Sequence, residues 1–294
     1  MLKKSILLEN KASLSTKNLQ LVIKTETRES SIPIEDIGYL VIDHPEIYLS
    51  IPAMNLLVEN NTSIIICNTN HLPNGMFLNL NSHHIQQEIF KNQINASVPL
   101  KKQLWQQTII EKITNQGILL QNITAKTNNF EFLASKVLSG DSSNMEGVAA
   151  NFYWKVFFEQ KFKRERFGDY PNNFLNYGYA ILRAATARAL SGSGLLNTLG
   201  IHHKSKYNAF ALADDIMEPF RPIIDEKVSE IMQNYSEQEL NTAIKAELLQ
   251  ILTRTVYFKD EKSPLMVALQ KTASSLQQCY TGDRKKIKYP KLWN

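Results

Sequence analysis

The spacing of apolar residues changes once along this chain, near Ile85, and the change restricts the folds that the chain can adopt. Before this point, short runs rich in Leu, Val and Ile are separated by turn-forming residues. Over residues 19–24, apolar and polar side chains alternate except at Val22, and such alternation is typical of a strand with one buried face. After Ile85 the apolar residues recur at three and four positions, which is typical of an amphipathic helix. The sequence therefore predicts a β-rich region followed by a helical one.

The front region contains four predicted strands and one predicted helix. The strands are predicted over residues 5–9, 19–25, 37–42 and 63–67. Residues 64–66 are three consecutive isoleucines, which is typical of a strand buried on both faces. Residues 28–33 and 71–75 are rich in turn formers and are predicted as turns. The helix is predicted over residues 50–59, where Pro52 suits a first helical turn.

The back region contains five segments with helical spacing. They are predicted as helices over residues 100–113, 145–156, 175–190, 240–252 and 264–276. The fold class that follows is α+β, with a small N-terminal β-rich domain and a larger all-α domain. We predict the first domain over residues 1–80, a linker over residues 81–95 and the second domain over residues 96–294.

Composition excludes several classes of protein. Apolar residues make up 43% of the chain and charged residues 21%, which excludes general disorder. The chain has no run of about eighteen apolar residues, so we expect no membrane span. Lys3 and Lys4 are soon followed by Glu9, so we expect no secretory leader at the start. Cys67 and Cys279 lie far apart, and we expect two reduced thiols in a cytoplasmic protein.

Charge is distributed unevenly along the chain. Residues 1–95 carry 7 basic and 9 acidic residues, a net charge of −2, whereas the remainder carries 26 basic and 19 acidic residues, a net charge of +7. A basic surface on the back region favours a polyanionic partner such as nucleic acid. The segment 283–293 is rich in Lys and Arg, and two interpretations of it stay open: a frayed end, or a segment lying along a phosphate backbone.

Acidic and imidazole side chains in the back region allow two interpretations. Ser143 and Glu146 have the spacing of a helix capping box, and His202 and His203 could satisfy carbonyls at a helix end. The acidic cluster Asp214, Asp215 and Glu218 is harder to explain structurally. On a helix these carboxylates repel one another, and their apolar surroundings make the repulsion costly unless a cation compensates it.

A divalent metal ion would provide that compensation. One histidine with two carboxylates is a mixed nitrogen and oxygen ligand set, which suits Mn²⁺, or Mg²⁺ with several waters retained. Three protein ligands leave positions open for water or phosphate oxygens, as metal-assisted phosphodiester chemistry requires. The residues alone do not show that Glu146 meets His203 and Glu218 in space.

Four segments resemble a known family. They are Asn-Met-Glu-Gly at 144–147, Asn-Tyr-Gly-Tyr-Ala-Ile-Leu at 176–182, Gly-Ile-His-His at 200–203 and Leu-Ala-Asp-Asp-Ile-Met-Glu-Pro-Phe-Arg-Pro at 212–222. They are similar to motifs of the Cas-one proteins, the CRISPR adaptation integrases, and look most like the type II branch. The last motif is the most specific, and the order of a small β domain before a helical domain also agrees with the family.

The resemblance implies roles for individual residues. Glu146, His203 and Glu218 would be the metal ligands and catalytic residues of a helical catalytic domain, with Mg²⁺ or Mn²⁺ as cofactor. His203 is preferred over His202 because the family's histidine lies fifteen residues before the third ligand. Many relatives carry Asp at the third position, where this chain has the longer Glu218. Asp215 would lie behind the ligands or bind a second ion.

The resemblance also implies a reaction and partners. A 3′-hydroxyl of a short DNA duplex, the prespacer, would attack a phosphodiester at the edge of a CRISPR repeat. The front domain would form a homodimer, two such dimers would hold a Cas-two dimer, and a type II effector nuclease would help to choose prespacers. The residues predicted to contact DNA are Lys163, Arg164, Arg166, Lys204 and Arg221.

Two other functions remain open at this stage. The first is a general DNA nuclease, in which the same metal site activates water in place of a 3′-hydroxyl. The second is a helical nucleic-acid-binding scaffold whose acidic and histidine residues are only structural.

Overall fold

The computed structural model describes residues 3–79, 83–124, 129–158, 162–165, 168–259 and 261–294. The front of the chain forms eight strands, with helix α1 (Ile51–Glu59) between the sixth and the seventh. The strands are β1 (Lys4–Leu8), β2 (Ala12–Lys17), β3 (Gln20–Lys24), β4 (Glu29–Pro33), β5 (Ile37–Ile42), β6 (Ile47–Leu49), β7 (Ser63–Cys67) and β8 (Pro73–Phe77).

The eight strands form two four-stranded sheets. The first has the order β1-β5-β7-β8, in which β1, β5 and β7 are parallel and β8 is antiparallel to β7. The second has the order β4-β3-β2-β6, in which only the β2–β6 pair is parallel. Apolar residues of both sheets and of α1 form a common core that includes Leu14, Leu40, Leu57 and Ile64. The prediction of a β-rich front region is confirmed.

Some strands were predicted correctly from the sequence, and others were missed. The predictions for residues 37–42 and 63–67 match β5 and β7, which are the buried inner strands of their sheet. The prediction of a turn over residues 28–33 is wrong, because β4 occupies Glu29–Pro33 at the edge of the second sheet. Residues 73–75, also predicted as part of a turn, belong to the edge strand β8. Edge strands bury little side-chain surface, so backbone pairing determines them and the apolar pattern stays weak.

The back of the chain is mainly helical, as predicted. Its helices are α2 (Gln86–Ile94), α3 (Val98–Thr124), α4 (Phe130–Ser135), α5 (Met145–Phe157), α6 (Asn172–Gly192), α7 (Ala211–Met217), α8 (Arg221–Asn234), α9 (Thr242–Leu249) and α10 (Leu265–Thr281). Helix α2 lies within the segment predicted as a linker. The hairpin of β9 (Thr255–Phe258) and β10 (Glu261–Pro264) was not predicted from the sequence.

Helix α6 is the central helix of this region. Four of its five alanines are buried, and helices α7, α8 and α10 pack against it. Small side chains allow neighbouring helices to approach closely, so an alanine-rich helix suits a central position. No helix among the described residues is long and apolar enough to span a membrane.

The C-terminal segment packs onto the fold. Its backbone at Lys291 exchanges two hydrogen bonds with Tyr257, of 2.7 and 2.8 Å, and Leu292 is buried. The indole nitrogen of Trp293 donates to both carboxylate oxygens of Glu226, at 3.0 and 3.1 Å. The frayed interpretation is therefore wrong. The phosphate-contact interpretation stays a prediction, and Lys288 lines a groove of about 1250 Å³ at this surface.

A buried ion cluster connects the helical region to the first sheet. The ammonium of Lys245, on α9, lies 2.8 Å from Glu9 Oε1 and 2.6 Å from Asp43 Oδ2. These two carboxylates directly follow β1 and β5, and the Lys245 side chain is only 3% exposed. His71 Nδ1 lies 2.8 Å from the other oxygen of Asp43. The cluster therefore fixes how the two regions pack.

Replacing Lys245 with Met is expected to lower the free energy of unfolding by about 3–5 kcal/mol, because two carboxylates lose their shared cation in a buried place. Urea unfolding measures the change. The matched control is Lys227→Met, which removes a lysine that also contacts two carboxylates, those of Glu230 and Glu247, but in a more exposed position. That change is expected to cost at most about 1 kcal/mol. Equal losses would contradict the role assigned to the cluster.

Candidate active site

The first turn of α5 holds Glu146. Asn144 is the N-cap residue, and its side chain accepts a hydrogen bond from the Gly147 amide at 3.3 Å. Asp141 accepts hydrogen bonds from the amides of Met145 and Glu146, at 2.8 and 3.0 Å. A Cβ on residue 147 would lie 2.7 Å from the Asn144 side chain, so this cap requires glycine there. Helix α5 thus begins with three of its free amide groups satisfied.

The capping-box interpretation of Glu146 is wrong. A capping box needs a glutamate at the third helical position after a Ser or Thr cap. Helix α5 begins at Met145, so Glu146 is its second residue, and the cap is Asn144 with help from Asp141. The carboxylate of Glu146 therefore does not return to the cap, and it contacts helix α3.

Glu218 lies where helices α7 and α8 join. A 3₁₀ turn, Glu218–Phe220, separates the two helices, and Pro219 and Pro222 lack the amide hydrogens that would continue α-helical bonding. The Pro219 carbonyl accepts a hydrogen bond from Asn115 Nδ2 of α3 at 2.8 Å. This contact holds the turn against α3, and Glu218 is buried there.

Lys112 of α3 brings the two glutamates together. Its ammonium donates a hydrogen bond of 2.6 Å to Glu146 Oε1 and also lies 2.6 Å from Glu218 Oε2. The second contact is an ion pair without hydrogen-bond geometry, since Oε2 has no hydrogen-bond partner among the described residues. The other oxygen of Glu218 lies 2.8 Å from Arg221 Nη2. Two carboxylates from separate segments therefore face one positive charge.

The pKa values of this group reflect the arrangement. Burial would raise the pKa of Glu218, but Arg221 and Lys112 outweigh it and lower the pKa to about 2. Burial would lower the pKa of Lys112, but Glu218 and Glu146 outweigh it and raise the pKa. Glu218 is therefore a carboxylate, and Lys112 an ammonium, at neutral pH.

His203 is held by Asp215. Its Nδ1 lies 2.5 Å from Asp215 Oδ1, and this hydrogen bond raises the pKa of His203 against the opposing effect of burial. The same carboxylate accepts backbone amides of Ile201 at 2.6 Å, His202 at 2.9 Å and His203 at 3.3 Å. A Cβ on residue 200 would lie 2.8 Å from Asp215 Oδ2, so Gly200 is needed for this approach. Asp215 thus fixes both the loop and the ring.

The neighbouring His202 has a packing role. Its ring stacks on the indole of Trp105 with ring centroids 4.3 Å apart and an angle of 4° between the planes. Trp105 is buried on α3 and also meets the edge of His203, at 5.9 Å between centroids. The two histidines are therefore distinguished by their partners, an indole for His202 and a carboxylate for His203.

Internal groups compensate the acidic cluster. Asp214 accepts hydrogen bonds from Arg183, at 2.6 and 3.1 Å, and from Asn208 at 2.8 Å, while Asp215 has its amides and His203. Groups of the protein therefore supply to Asp214 and Asp215 the charge compensation that was expected from a metal ion. Among the described residues, no three His, Cys, Asp or Glu side chains stand arranged around one point as a complete metal site.

The donor set nevertheless fits a divalent ion. The carboxylates of Glu146 and Glu218 converge on one point that holds a positive charge, and Glu218 Oε2 is a buried oxygen that faces this charge. Carboxylate oxygens are the ligands that Mg²⁺ and Mn²⁺ prefer. Because Asp215 binds Nδ1 of His203, the other ring nitrogen is available to a ligand.

Comparison with known proteins gives a consistent result. The sequence model of the family described as CRISPR associated protein Cas1 matches residues 6–247. The chain is 36% identical to the CRISPR-associated endonuclease Cas1 of Neisseria meningitidis serogroup C (strain 8013), over 98% of this chain and 96% of that protein. The chain belongs to the Cas1 family. This is the family called Cas-one above, so the resemblance seen in the sequence is confirmed.

Solved structures share the Cas1-type fold. A casposase bound to integration product superposes with a TM-score of 0.80 at 20% identity, covering 97% of this chain and 92% of that chain. A chain of a Cas6-RT-Cas1–Cas2 complex gives a TM-score of 0.74 at 19% identity, covering 99% of this chain and 36% of that chain. At these identities the likeness shows the fold.

A basic cleft adjoins His203 in this Cas1-family chain. It has a volume of about 620 Å³, and Lys101, Lys204, Lys206 and Tyr207 line it. Lys204 was among the residues predicted to contact DNA, and its position beside His203 supports that prediction. Lys101, on α3, was not among the residues predicted to contact DNA.

The other residues predicted to contact DNA are placed less favourably. Lys163 is exposed and lies 3.1 Å from Glu165. The guanidinium of Arg164 donates to the side chains of Asn172 and Asn176, at 2.9 and 2.7 Å, so its hydrogen atoms are used within the fold. Arg221 points inward to Glu218. Arg166 lies outside the described residues.

Sequence reasoning missed Lys112, although a signal was present. Trp105, Ile109, Lys112 and Gln116 are spaced by four, three and four residues, so they share one face of α3, and all four are buried. A lysine on the buried face of a helix needs a carboxylate partner. The pattern could therefore have indicated a buried ion pair, although not the residues that complete it.

A second buried carboxylate, that of Asp225, is connected to Arg221 in the site of this Cas1-family protein through Tyr179. Asp225 of α8 accepts hydrogen bonds from Tyr153 at 2.8 Å and from Tyr179. The guanidinium of Arg221 lies over the Tyr179 ring, 4.6 Å from its centroid. Burial raises the pKa of Asp225 to about 6, although both tyrosine hydroxyls oppose the change.

This raised pKa predicts a pH-dependent stability. The protonated form of Asp225 stabilises the fold fully below its ordinary pKa of 3.8, and this contribution is lost as the pH rises through about 6. Asp225→Asn imitates the protonated form, so its stability relative to the native protein is expected to rise by up to about 3 kcal/mol from pH 4 to pH 8. Urea unfolding across this range measures the difference. A difference that does not change with pH would contradict the prediction.

Proposed function

We propose that this protein is a metal-dependent DNA integrase of CRISPR adaptation, which inserts prespacer DNA into a CRISPR array. In this proposal Glu146, His203 and Glu218 are the catalytic residues and hold Mg²⁺ or Mn²⁺. The observation that carries it is the convergence of Glu146 and Glu218 on one cation position, the ammonium of Lys112. The ring of His203, which Asp215 holds, contacts the edge of Trp105, and Trp105 lies on the same buried face of α3 as Lys112. Family membership supports the same assignment.

The reaction joins a 3′-hydroxyl of the prespacer to a phosphate at the edge of a repeat. The hydroxyl oxygen attacks phosphorus, its proton is released, and the displaced strand leaves with a new 3′-hydroxyl, so the number of phosphodiester bonds is conserved. A bound divalent ion would supply Lewis-acid stabilisation of the charge that develops on the phosphate. No protein nucleophile is required in this scheme.

The residues around the ligands have positioning roles. Asp215 holds His203 through Nδ1, which leaves Nε2 as the nitrogen that would face the ion and makes the ring more basic. Asp141 and Asn144 fix the first turn of α5, and with it Glu146. Arg221 keeps one oxygen of Glu218 occupied, so the carboxylate is held in one orientation.

The proposed partners and substrates follow from the family and from two structural neighbours. The Cas6-RT-Cas1–Cas2 complex contains a chain of the same fold, which supports assembly with a Cas2 dimer. The casposase is bound to integration product, which supports double-stranded prespacer and repeat DNA as substrates. We further propose a homodimer formed by the β-rich front domain, help from a type II effector nuclease, and action in the cytoplasm, where chromosomal DNA lies.

A general DNA nuclease is the second candidate, and the endonuclease name of the Neisseria relative favours it. The same residues would serve, with water in place of the 3′-hydroxyl as nucleophile. The two functions differ in product: strand transfer joins prespacer to plasmid, whereas hydrolysis gives only cleaved DNA.

The first test is a strand-transfer assay with a supercoiled, repeat-bearing plasmid, Mn²⁺ or Mg²⁺, and the Cas2 partner. We expect joined product that is lost in chelator and with a 3′-dideoxy prespacer. Glu146→Gln, His203→Ala and Glu218→Gln are each expected to lower the rate at least about a hundredfold, and Asp215→Asn about ten- to a hundredfold.

The matched control for this test is Glu88→Gln, a change at an exposed glutamate of α2, which is expected to leave the rate unchanged. Joined product formed in chelator would reject metal dependence. Cleavage without joining would favour the nuclease.

The second test measures how DNA affinity depends on salt. Each phosphate contact with a lysine adds about one unit to the slope of log affinity against log salt concentration. Replacing Lys204 and Lys206 together with Gln is therefore expected to reduce that slope by about two units. The control is Lys17→Gln with Lys24→Gln, two lysines of the front sheets. An unchanged slope in the cleft variant would show that DNA does not pass through this cleft.

A further inference from the structure

Lys112 has a position that the proposed chemistry does not explain. Its side chain is only 11% exposed, and its ammonium lies 2.6 Å from an oxygen of Glu146 and 2.6 Å from an oxygen of Glu218. These are two of the three proposed metal ligands. A divalent ion held by both carboxylates would need the same space as this ammonium.

Electrostatics explains why the ammonium lies there. Two carboxylates that converge in a half-buried place repel each other, and burial of either charge without a partner is costly. Lys112 removes the repulsion, while Arg221 at 2.8 Å neutralises only Glu218. The fold therefore carries its own counter-ion for Glu146 and Glu218 and does not depend on a metal ion for the stability of this pair.

We propose that Lys112 is a resident counter-ion that a divalent ion must displace in order to bind Glu146 and Glu218. This inference rests on the proposed function, because it takes these two residues as ligands. In this scheme Lys112 controls the affinity for the metal ion. The lysine holds the carboxylates in place before the ion arrives, and it weakens binding of the ion because it competes for the same carboxylates. Lys112 is a positioning residue in this scheme, since it acts through the two carboxylates.

The surroundings make displacement feasible at Lys112. The Glu146 side chain is 27% exposed, so an ion can reach the pair from solvent, and a lysine has a long flexible stem that can withdraw. The ion cluster at Lys245 has a similar lysine with two carboxylates, but all three side chains there are more deeply buried than Glu146. Compared with the Lys245 cluster, the Lys112 pair therefore combines a shared cation position with access from outside.

The experiment measures Mn²⁺ binding to the full chain without DNA, by electron paramagnetic resonance of free Mn²⁺. Lys112→Met and Lys112→Gln remove the competing charge, and each is expected to bind Mn²⁺ at least about tenfold more tightly than the native protein. The charge-matched control is Lys227→Met, which removes a lysine from α8 that pairs with Glu230 and Glu247. It is expected to leave Mn²⁺ affinity unchanged.

Thermal unfolding provides a second measurement. In chelator, both Lys112 variants are expected to melt at a lower temperature than the native protein, and added Mn²⁺ is expected to raise their melting temperature by more than it raises that of the native protein. If a variant is unfolded in chelator, recovery of a folding transition on addition of Mn²⁺ gives the same information. Lys112→Gln retains a hydrogen-bond donor for the carboxylates and is the milder of the two changes.

Two negative results are distinguishable. If the native protein binds Mn²⁺, Glu218→Gln weakens that binding, and the Lys112 variants bind no more tightly than the native protein, the counter-ion proposal is overturned and the metal site stands. If neither the native protein nor the variants bind Mn²⁺, the proposed metal-dependent function fails together with the inference.

Discussion

One ammonium group, on Lys112, faces carboxylates from two segments that are distant in sequence, and the rest of the site is arranged around that contact. Helix α3 carries the lysine, the first turn of α5 carries Glu146, and the turn between α7 and α8 carries Glu218. Each segment is held independently: α5 by its cap Asn144 together with Asp141, and the turn by the hydrogen bond from Asn115 to the Pro219 carbonyl. The carboxylates therefore stay close without relying on one another.

The charges of the acidic residues in this site are neutralised by other groups of the protein. The two oxygens of Asp215 bond to three backbone amides and to Nδ1 of His203. Asp215 therefore fixes both the loop that carries His203 and the orientation of its ring. Asp214 is neutralised by Arg183. Glu146 and Glu218 likewise have a counter-ion within the protein, the ammonium of Lys112, so the fold does not need a metal ion to keep them together.

The front sheets help to position the helices that carry the site. Lys245 inserts its ammonium between Glu9 and Asp43 at the ends of two parallel strands, and Arg188 of α6 donates to the Asn61 carbonyl at 2.6 Å. Helix α6, which the Arg188 contact and its packing on β7 and β8 hold against the first sheet, is the helix on which α7 and α8 pack. The β-rich region is therefore attached through the same helix that supports Glu218.

The sequence by itself determined the order of the two regions, the inner strands β5 and β7, five helices of the back region and the family, because apolar spacing and short motifs are local properties. It also named Glu146, His203 and Glu218 as candidates. Only the tertiary structure decided the edge strands β4, β6 and β8, the true cap of α5 and the partners of the acidic cluster. Lys112 shows the physical reason: its charge is readable at one position, but the carboxylates that give it a role come from other segments of the chain, and folding alone brings them within 2.6 Å.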